Sequence, residues 1–345
     1  MISRDAQTES VTAAALLMKS YWIKKTGDHA ELELRDVPVP QPACGEILVR
    51  VKATSINRGD MLARIRRHSA DEARPAGVDA AGEVHAIGEG VTAFKPGERV
   101  MFRARACFAE YVIVDPALAA RVPEHLTWEA AAAIPVAFIT AYEALVQFGG
   151  VQAGEWVLIA GASSGVGVAA LQVAKYLGAN VIGVSGSAAK LARLQTLGLD
   201  LAVCTHGARS PGFASDVLHA TGGRGVNLAV NLVGGSAFPD CLNALADFGR
   251  QVIVGYVDGQ MKTELNLEAL HGKRLHIMGV SNAPLAPAQR AEAMRGFMDV
   301  LYPAFVNGRI KPVIDRVFSF DELPAAKRYV ETDQLLGKVI IRLRS

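Results

Sequence analysis

A glycine-rich loop between a predicted strand and a predicted helix is the part of this sequence best suited to bind a charged ligand. The strand covers residues 156–160, the loop 161–167 and the helix 168–175. A helix N-terminus offers unpaired N–H groups and a positive dipole end, and small side chains let a pyrophosphate approach them closely. We therefore predict that the loop binds a dinucleotide. The predicted contacts are Ala162, Ser163, Ser164, Gly165, Val166 and Gly167.

This loop does not satisfy the strict dinucleotide-binding pattern G-x-G-x-x-G. At the three glycine positions of that pattern the chain has Ala162, Ser164 and Gly167. The same stretch is therefore also compatible with a tight strand-to-helix turn that binds no ligand. The strands and helices that follow it favour the binding interpretation.

The end of the second predicted strand indicates which cofactor is preferred. Ser185 and Ser187 lie there, Lys190 follows, and no Asp or Glu is present to hold a ribose 2′-hydroxyl, as an NAD enzyme requires. Hydroxyls and a cation suit a 2′-phosphate, because they donate hydrogen bonds and offset its charge. We predict NADP(H) as the cofactor. The alternative is that Lys190 is an ordinary solvated lysine on a helix.

Two kinds of secondary-structure pattern surround these residues. The first part of the chain contains short β-like runs separated by Gly, Pro and Asp, and from residue 156 apolar strands alternate with helices. A helical segment at 288–307 and β character at 312–320 and 338–343 follow. The β-like runs are 46–53, 82–87, 99–102 and 108–114, and the alternating strands are 157–160, 181–185, 201–204, 228–232, 252–255 and 275–280.

These patterns predict an α/β protein in which one domain is split around another. The alternating strands and helices predict a doubly wound parallel sheet, the Rossmann dinucleotide-binding domain, at 139–282. A β-rich domain then consists of 18–138 and 283–345, and residues 1–17 form a loose N-terminal extension in which Met18 is a possible alternative start.

Composition narrows the class of partner. Half of the 345 residues are apolar, and 36 Lys and Arg nearly balance 34 Asp and Glu, which gives a net charge of +2. This charge does not favour nucleic acid or an anionic membrane, so we expect a small-molecule substrate. The four cysteines have no C-x-x-C spacing, which is typical of a reducing compartment, and we expect a cytoplasmic protein.

Six segments together resemble the medium-chain dehydrogenase/reductase superfamily, and within it the zinc-free quinone oxidoreductase branch, the zeta-crystallin-like proteins. The resemblance covers about residues 19–343. It implies that the β-rich domain is GroES-like, that a cleft separates it from the Rossmann domain, and that the protein is a homodimer. The segments are Ala53-Thr-Ser-Ile-Asn57-Arg-Gly-Asp60, Gly77-Val-Asp-Ala-Ala-Gly-Glu-Val84, Phe94-Lys-Pro-Gly-Glu-Arg-Val100, Ala162-Ser-Ser-Gly-Val-Gly167, Val233-Gly-Gly235 and Gly337-Lys-Val-Ile340.

The resemblance also implies that the site lacks zinc. Zinc-dependent relatives have a Cys near the position of Asn57 and Gly-His-Glu where this chain has Gly77-Val78-Asp79. Catalytic zinc needs three well-placed protein ligands and structural zinc usually four. Between residues 102 and 111 the chain has a single cysteine, Cys107, so the four-cysteine structural lobe is missing from the sequence as well.

By the same resemblance, Asn57 and Thr140 lie near the nicotinamide, and we add Asp60 as a third catalytic candidate. Asp60 and Arg58 could instead form an ion pair that closes a loop, or act as turn residues. Many relatives have a tyrosine where this chain has Thr205, and the next residue, His206, could contact a phosphate. We assign five further residues to the cofactor site: Val233, Gly234, Gly255, Tyr256 and Lys338.

Three functions remain open at this stage. The first is NADPH-dependent reduction of a quinone, an enone, or an aldehyde or ketone, in which the protein orients the cofactor and excludes water. The second is reduction of an enoyl thioester, whose relatives use a Tyr after the Asn as proton donor, although residues 60–73 contain no Tyr. The third is NADPH binding without turnover.

The predicted strand order of the Rossmann sheet leads to a prediction about assembly. In the order 3-2-1-4-5-6 the sixth strand, residues 274–281, lies at one edge of the sheet and is rich in apolar side chains. An exposed apolar edge strand tends to pair with another strand. We therefore expect a homodimer through the strand from Arg274 to Ser281, as the resemblance also implies.

Overall fold

The computed structural model describes residues 16–26, 29–61, 73–205, 212–281 and 285–344; for Lys25, His29, Asp60 and Met61 it describes the backbone alone. The described residues of the first part of the chain are mostly strands, with one short helix and a 3₁₀ turn at Pro116–Leu118. The elements are β1 Leu17–Thr26, β2 His29–Pro38, β3 Ile47–Ile56, α1 Arg58–Met61, β4 Arg74–Pro75, β5 Asp79–Ile87, β6 Arg99–Arg103, β7 Tyr111–Val114 and β8 Ala119–Arg121.

Two helices and a π-helical turn at Glu143–Gln147 lead into alternating strands and helices. In chain order these elements are α2 Trp128–Ala132, α3 Pro135–Tyr142, β9 Trp156–Ala160, α4 Gly165–Tyr176, β10 Asn180–Ser185, α5 Ala188–Gln195, β11 Leu201–Cys204, α6 Ala214–Ala220, β12 Val226–Asn231, α7 Phe238–Asn243, β13 Leu245–Ile253, α8 Leu267–Gly272 and β14 His276–Gly279. The final elements are α9 Pro287–Val300, α10 Tyr302–Val306, β15 Ile314–Ser319, a 3₁₀ turn at Phe320–Glu322, α11 Leu323–Glu331 and β16 Lys338–Arg342.

Strands β9 to β14 form a parallel six-stranded sheet in the order β11-β10-β9-β12-β13-β14. Numbered within the sheet, this is the predicted order 3-2-1-4-5-6, with β14 at one edge. The predicted doubly wound α/β fold is thus confirmed. In such a sheet, ligands bind outside the carboxyl ends of the strands, where the strand order reverses beside the first strand, here β9.

The β-rich part contains a seven-stranded sheet that joins the two ends of the chain. Its order is β15-β16-β3-β5-β6-β8, and β7 also pairs with β3. The last strand, β16, lies between β15 and β3, so the prediction that the final strands return to the first domain is confirmed. The expected domain boundary at residues 138 and 139 lies within α3, and it stays a prediction.

Alternate side chains of β16 enter two different cores. Val339 and Ile341 belong to the core of the β-rich sheet, whereas Ile340 belongs to the core that includes Ala162 and Val168 of the Rossmann domain. Since side chains alternate across a strand, Lys338 lies on the same face as Ile340. The register of β16 thereby directs Lys338 toward the glycine-rich loop.

Two features of the N-terminal part differ from the sequence prediction. The antiparallel hairpin β1–β2 was not predicted, and β1 begins at Leu17, one residue inside the expected extension. The predicted strand at 108–114 is shorter, because β7 begins at Tyr111. Residues 1–15 lie outside the described residues.

Aromatic packing joins α3 to the helices that precede the final strands. The rings of Phe138 and Phe305 meet edge to face with centroids 4.9 Å apart, and Phe297 also contacts Phe305. The predicted helix at 288–307 is observed as α9 and α10. Among the described residues, no helix combines the length and the apolar character that crossing a membrane would require.

Candidate active site

The glycine-rich loop makes a sharp turn into the capped N-terminus of α4. Ser164 caps α4: its hydroxyl accepts a hydrogen bond from the N–H of Gly167 at 3.1 Å and donates to the carbonyl of Gly161 at 2.9 Å. Gly161 has φ +86°, a conformation that favours glycine. The 12-residue helix α4 therefore begins directly after the sharp turn that follows β9.

Two glycines of the loop are required by close contacts. A Cβ atom at Gly167 would lie 2.4 Å from the carbonyl oxygen of Gly161, and one at Gly165 would lie 2.7 Å from Cδ of Lys338. The N–H of Gly337 donates to the carbonyl of Ser163 at 3.1 Å. The loop thus packs against the segment from Gly337 to Lys338, and a side chain at Gly165 or Gly167 would collide with the protein's own atoms.

Lys338 connects this loop to Asn57. Its ammonium donates to Oδ1 of Asn57 at 2.6 Å and to the carbonyl of Ile56 at 3.2 Å, and only 5% of the residue is exposed. Lys338 was predicted from its segment alone, and its contact with Asn57 was not. The structure therefore brings together a predicted cofactor residue and a predicted catalytic residue.

The fully buried carboxylate of Asp79 holds Asn57 from the other side. Its Oδ1 accepts hydrogen bonds from Ser55 Oγ at 2.7 Å and from Asn57 Nδ2 at 3.0 Å, and its Oδ2 accepts from the N–H of Val136 at 3.2 Å. The Asn57 amide is thus fixed between a cation and an anion. Sequence reasoning noted Asp79 only as the residue that replaces the Glu of zinc-dependent relatives.

The N-terminus of α3 belongs to the same network. Val136, in the first turn of α3, donates to Asp79, and Thr140 lies one turn further along the helix with only 5% of its surface exposed. Thr140 is therefore positioned by a helix that is fastened to the Asn57 site. The side chain of the third catalytic candidate, Asp60, lies outside the described residues.

The serines predicted to surround a 2′-phosphate lie beside the loop. The Ser163 and Ser185 hydroxyl oxygens are 3.3 Å apart, which joins the loop to the carboxyl end of β10. The Ser187 oxygen accepts from the N–H of Lys190 and caps α5, so its O–H hydrogen remains available to donate. His206 lies outside the described residues, and Thr205 follows β11.

Lys190 lies where the Rossmann sheet region meets the segment before β16. Its ammonium contacts the carbonyl of Asp333, and the Arg58 guanidinium pairs with the Asp333 carboxylate. Burial lowers the pKa of Lys190, the charge of Asp315 opposes this effect, and the charge of Arg58 adds a smaller lowering. This partner of Arg58 was not foreseen, and the expected pair between Arg58 and Asp60 stays a prediction, because the Asp60 side chain lies outside the described residues.

The loops after β12 and β13 complete the carboxyl edge of the sheet. Buried Asn231 accepts hydrogen bonds from the N–H groups of Val233 and Gly234 at 2.9 and 3.0 Å. Gly234 has φ +128°, and a Cβ there would lie 2.9 Å from Cα of Tyr256, the residue after Gly255. The predicted residues of these two loops are therefore neighbours, although Tyr256 is 54% exposed.

Two family models match this chain. An alcohol dehydrogenase GroES-like domain matches residues 43–124, and a zinc-binding dehydrogenase model matches residues 165–297. The human synaptic vesicle membrane protein VAT-1 homolog is 30% identical over 330 residues, which cover 91% of this chain and 83% of that protein. The chain belongs to the medium-chain dehydrogenase/reductase superfamily, whose members bind NAD(P).

Other similar proteins are much longer. The mycocerosic acid synthase-like polyketide synthase of Mycobacterium tuberculosis is 33% identical over 328 residues, which cover 92% of this chain. The chain spans only 12 to 15% of the length of the first three polyketide synthases that it matches. Among solved structures, a mycobacterial protein in complex with NADPH is 26% identical with a TM-score of 0.84, covering 94% of this chain and 99% of that one.

Proposed function

We propose that this chain is a zinc-independent, NADPH-dependent reductase of carbon–carbon double bonds conjugated to a carbonyl, as in an enone or a quinone. The observation that supports this most is the hydrogen-bonded series Lys338–Asn57–Asp79 beside the glycine-rich loop. In this series a cation lies between the glycine-rich loop and the residue that family resemblance assigns to the nicotinamide.

The described residues fit a nicotinamide dinucleotide. A Cβ at Gly165 or Gly167 would collide with Lys338 or Gly161, so the tight turn before α4 requires glycine at both positions, and the helix N-terminus would supply donors for a pyrophosphate. Ser185, Ser187 and Lys190 would hold the 2′-phosphate of the NADP form. The bound nicotinamide would supply the hydride, and the protein would supply binding, orientation and electrostatics.

We expect a preference for conjugated substrates because of the anion that each substrate would form. Hydride addition to the carbon beta to the carbonyl moves the electron pair of the double bond onto the carbonyl oxygen as an enolate, which water then protonates. For a quinone, one proton then moves from that ring carbon to the second carbonyl oxygen, which restores the aromatic ring of the hydroquinone. The Lys338 ammonium would be a fixed cation in this region and would favour negative charge on either kind of substrate. A simple ketone would become an alkoxide, which needs a stronger acid or a metal.

Zinc independence is supported by the types of residue at the site. Zinc-dependent relatives have a cysteine near the position of Asn57, whereas in this chain Asn57 accepts a hydrogen bond from the Lys338 ammonium. Val78 replaces the histidine of those relatives. Within the described ranges, no three His, Cys, Asp or Glu side chains form a group that could hold a metal.

Reduction of an enoyl thioester is a second candidate, because polyketide synthases are among the similar proteins. It differs from the first in the substrate and not in the hydride chemistry. Residues 60–73 contain no tyrosine to donate a proton, and residues 62–72 lie outside the described residues.

The test is NADPH oxidation with four substrates: a quinone, an enone, an enoyl thioester and an aliphatic ketone. We expect the conjugated substrates to be fast and the ketone slow. Asn57→Ala and Thr140→Val should slow turnover by about 10-fold to 100-fold through misorientation, whereas Thr92→Val, at an exposed threonine, should not. A faster ketone would contradict the mechanism. NADPH binding without turnover of any substrate would favour a binding protein.

A further inference from the structure

Arg58 is a second cation near Lys190 of the proposed 2′-phosphate pocket, and it belongs to the β-rich part of the chain. Lys190 lies on α5 of the Rossmann domain, whereas Arg58 lies on α1, directly after Asn57. Both contact Asp333, in the segment between α11 and β16: Arg58 through the carboxylate and Lys190 through the backbone carbonyl. One acidic residue therefore holds two cations that belong to different domains.

The two cations lie close enough for their charges to interact. Burial lowers the pKa of Lys190 most, the Asp315 carboxylate raises it, and the charge of Arg58 contributes a smaller lowering. The Arg58 side chain is 31% exposed and that of Asp333 is 71% exposed. The carboxylate thus lies on the solvent side and can leave the arginine without a new charge being buried.

We propose that Arg58 and Lys190 together bind the 2′-phosphate of NADPH, and that the Asp333 carboxylate holds Arg58 until the phosphate replaces it. This inference rests on the proposed function, in which NADPH is the cofactor. A guanidinium binds phosphate and carboxylate through the same planar pair of N–H donors, and a phosphate monoester carries up to twice the charge of a carboxylate. The phosphate is therefore the stronger partner.

The same contacts have a purely structural explanation, which a binding experiment separates from ours. If Asp333 only fastens the segment before β16 to α5, removing Arg58 disturbs that segment whichever nucleotide is present. If Arg58 binds the 2′-phosphate, its removal weakens only the ligands that carry this group. The nucleotide fragments 2′,5′-ADP and 5′-AMP test this without any contribution from the nicotinamide.

Dissociation constants for NADPH, NADH, 2′,5′-ADP and 5′-AMP should be measured by calorimetry. We expect Arg58→Gln to weaken NADPH and 2′,5′-ADP by about 10-fold to 100-fold, and NADH and 5′-AMP by less than about twofold. Asp333→Asn should tighten NADPH about threefold, because it removes a competing charge and asparagine tolerates the φ of +57° at this position. Arg344→Gln, which removes an exposed ion pair with Asp321, is the matched control.

The outcomes distinguish this inference from the function on which it rests. A wild-type protein that binds NADH as tightly as NADPH contradicts the proposed cofactor. A wild type that prefers NADPH, with an Arg58→Gln variant that keeps the same preference, contradicts only the role of Arg58. Equal weakening of all four ligands by Arg58→Gln, or weaker NADPH binding by Asp333→Asn, also overturns the inference.

Discussion

The ammonium of Lys338 lies 2.6 Å from the side-chain oxygen of Asn57, although 281 residues separate the two in the sequence. The contact depends on β16 pairing with β3, since Val339 lies opposite Ile56 in that antiparallel register. A shift of one residue in this register would turn Lys338 to the other face of the sheet. The register of one strand pair therefore determines whether the site is assembled.

Asp79 should act as a positioning residue for Asn57. In an Asp79→Asn variant an amide NH₂ replaces one oxygen and faces groups that are themselves donors. We expect kcat to fall about 10-fold or more and the free energy of unfolding to fall by about 1–3 kcal/mol, with little change in the Kd for NADPH. Turnover assays with an enone measure kcat, urea unfolding measures the free energy of unfolding, and nucleotide titration measures the Kd for NADPH.

The control for this variant is Asp36→Asn, at an exposed carboxylate paired with Lys19. A loss of stability with unchanged kcat would show that Asp79 serves only the fold.

The preference for NADPH over NADH should depend on pH in two steps. It should rise as the 2′-phosphate loses its second proton near pH 6. It should then fall in alkaline solution as Lys190 loses its charge, and at a lower pH than for an ordinary lysine, because burial lowers the pKa of Lys190. Titration of both nucleotides across pH measures the ratio of the dissociation constants.

Two variants test the assignment of the alkaline step to Lys190. Lys190→Ala should remove the step and most of the preference, whereas Lys190→Arg should keep the preference and shift the step beyond the accessible range. Lys175→Ala is the control, because Lys175 lies on α4 and its ammonium pairs with Asp200. An alkaline step that persists in Lys190→Ala would assign it to another group.

Zinc should be absent from the purified protein and irrelevant to its turnover. The residues at the family's zinc positions include Asn57 and Val78, which offer neither a thiolate nor an imidazole. Elemental analysis should find less than stoichiometric zinc, and incubation with a chelator should leave the rate unchanged. One tightly bound zinc per chain, lost together with activity, would contradict the proposal.

The edge strand β14 should mediate a homodimer. It pairs only with β13 among the described strands, and the apolar side chains of Ile277 and Met278 on it are half-buried. Ile277→Pro should yield monomers or aggregates by light scattering, because proline cannot donate a strand hydrogen bond. Ala202→Pro, in the opposite edge strand β11, is the control. A monomeric wild type would contradict this prediction.

Local patterns predicted the Rossmann sheet and the glycine-rich loop because both depend on residues that are close in sequence. The strand–loop–helix around Ser164 and the serine at the end of β10 were predicted in this way. The contacts that organise the site were not, because they join distant segments: Asp79 to Asn57 and Val136, and Arg58 to Asp333. Strand β1 escaped prediction because lysines interrupt its apolar residues, and its partner β2 ends in proline.

The position of Lys338 in the last strand also determines when the contact between Lys338 and Asn57 can form during synthesis. The six parallel strands of the Rossmann sheet are contiguous in the chain and can pair as soon as β14 has been made. The β-rich sheet cannot be completed until β16 has been made, since that strand lies between β15 and β3. A ribosome-bound chain can therefore complete its nucleotide-binding sheet well before Lys338 exists to reach Asn57, and the capacity to orient a hydride donor should appear last.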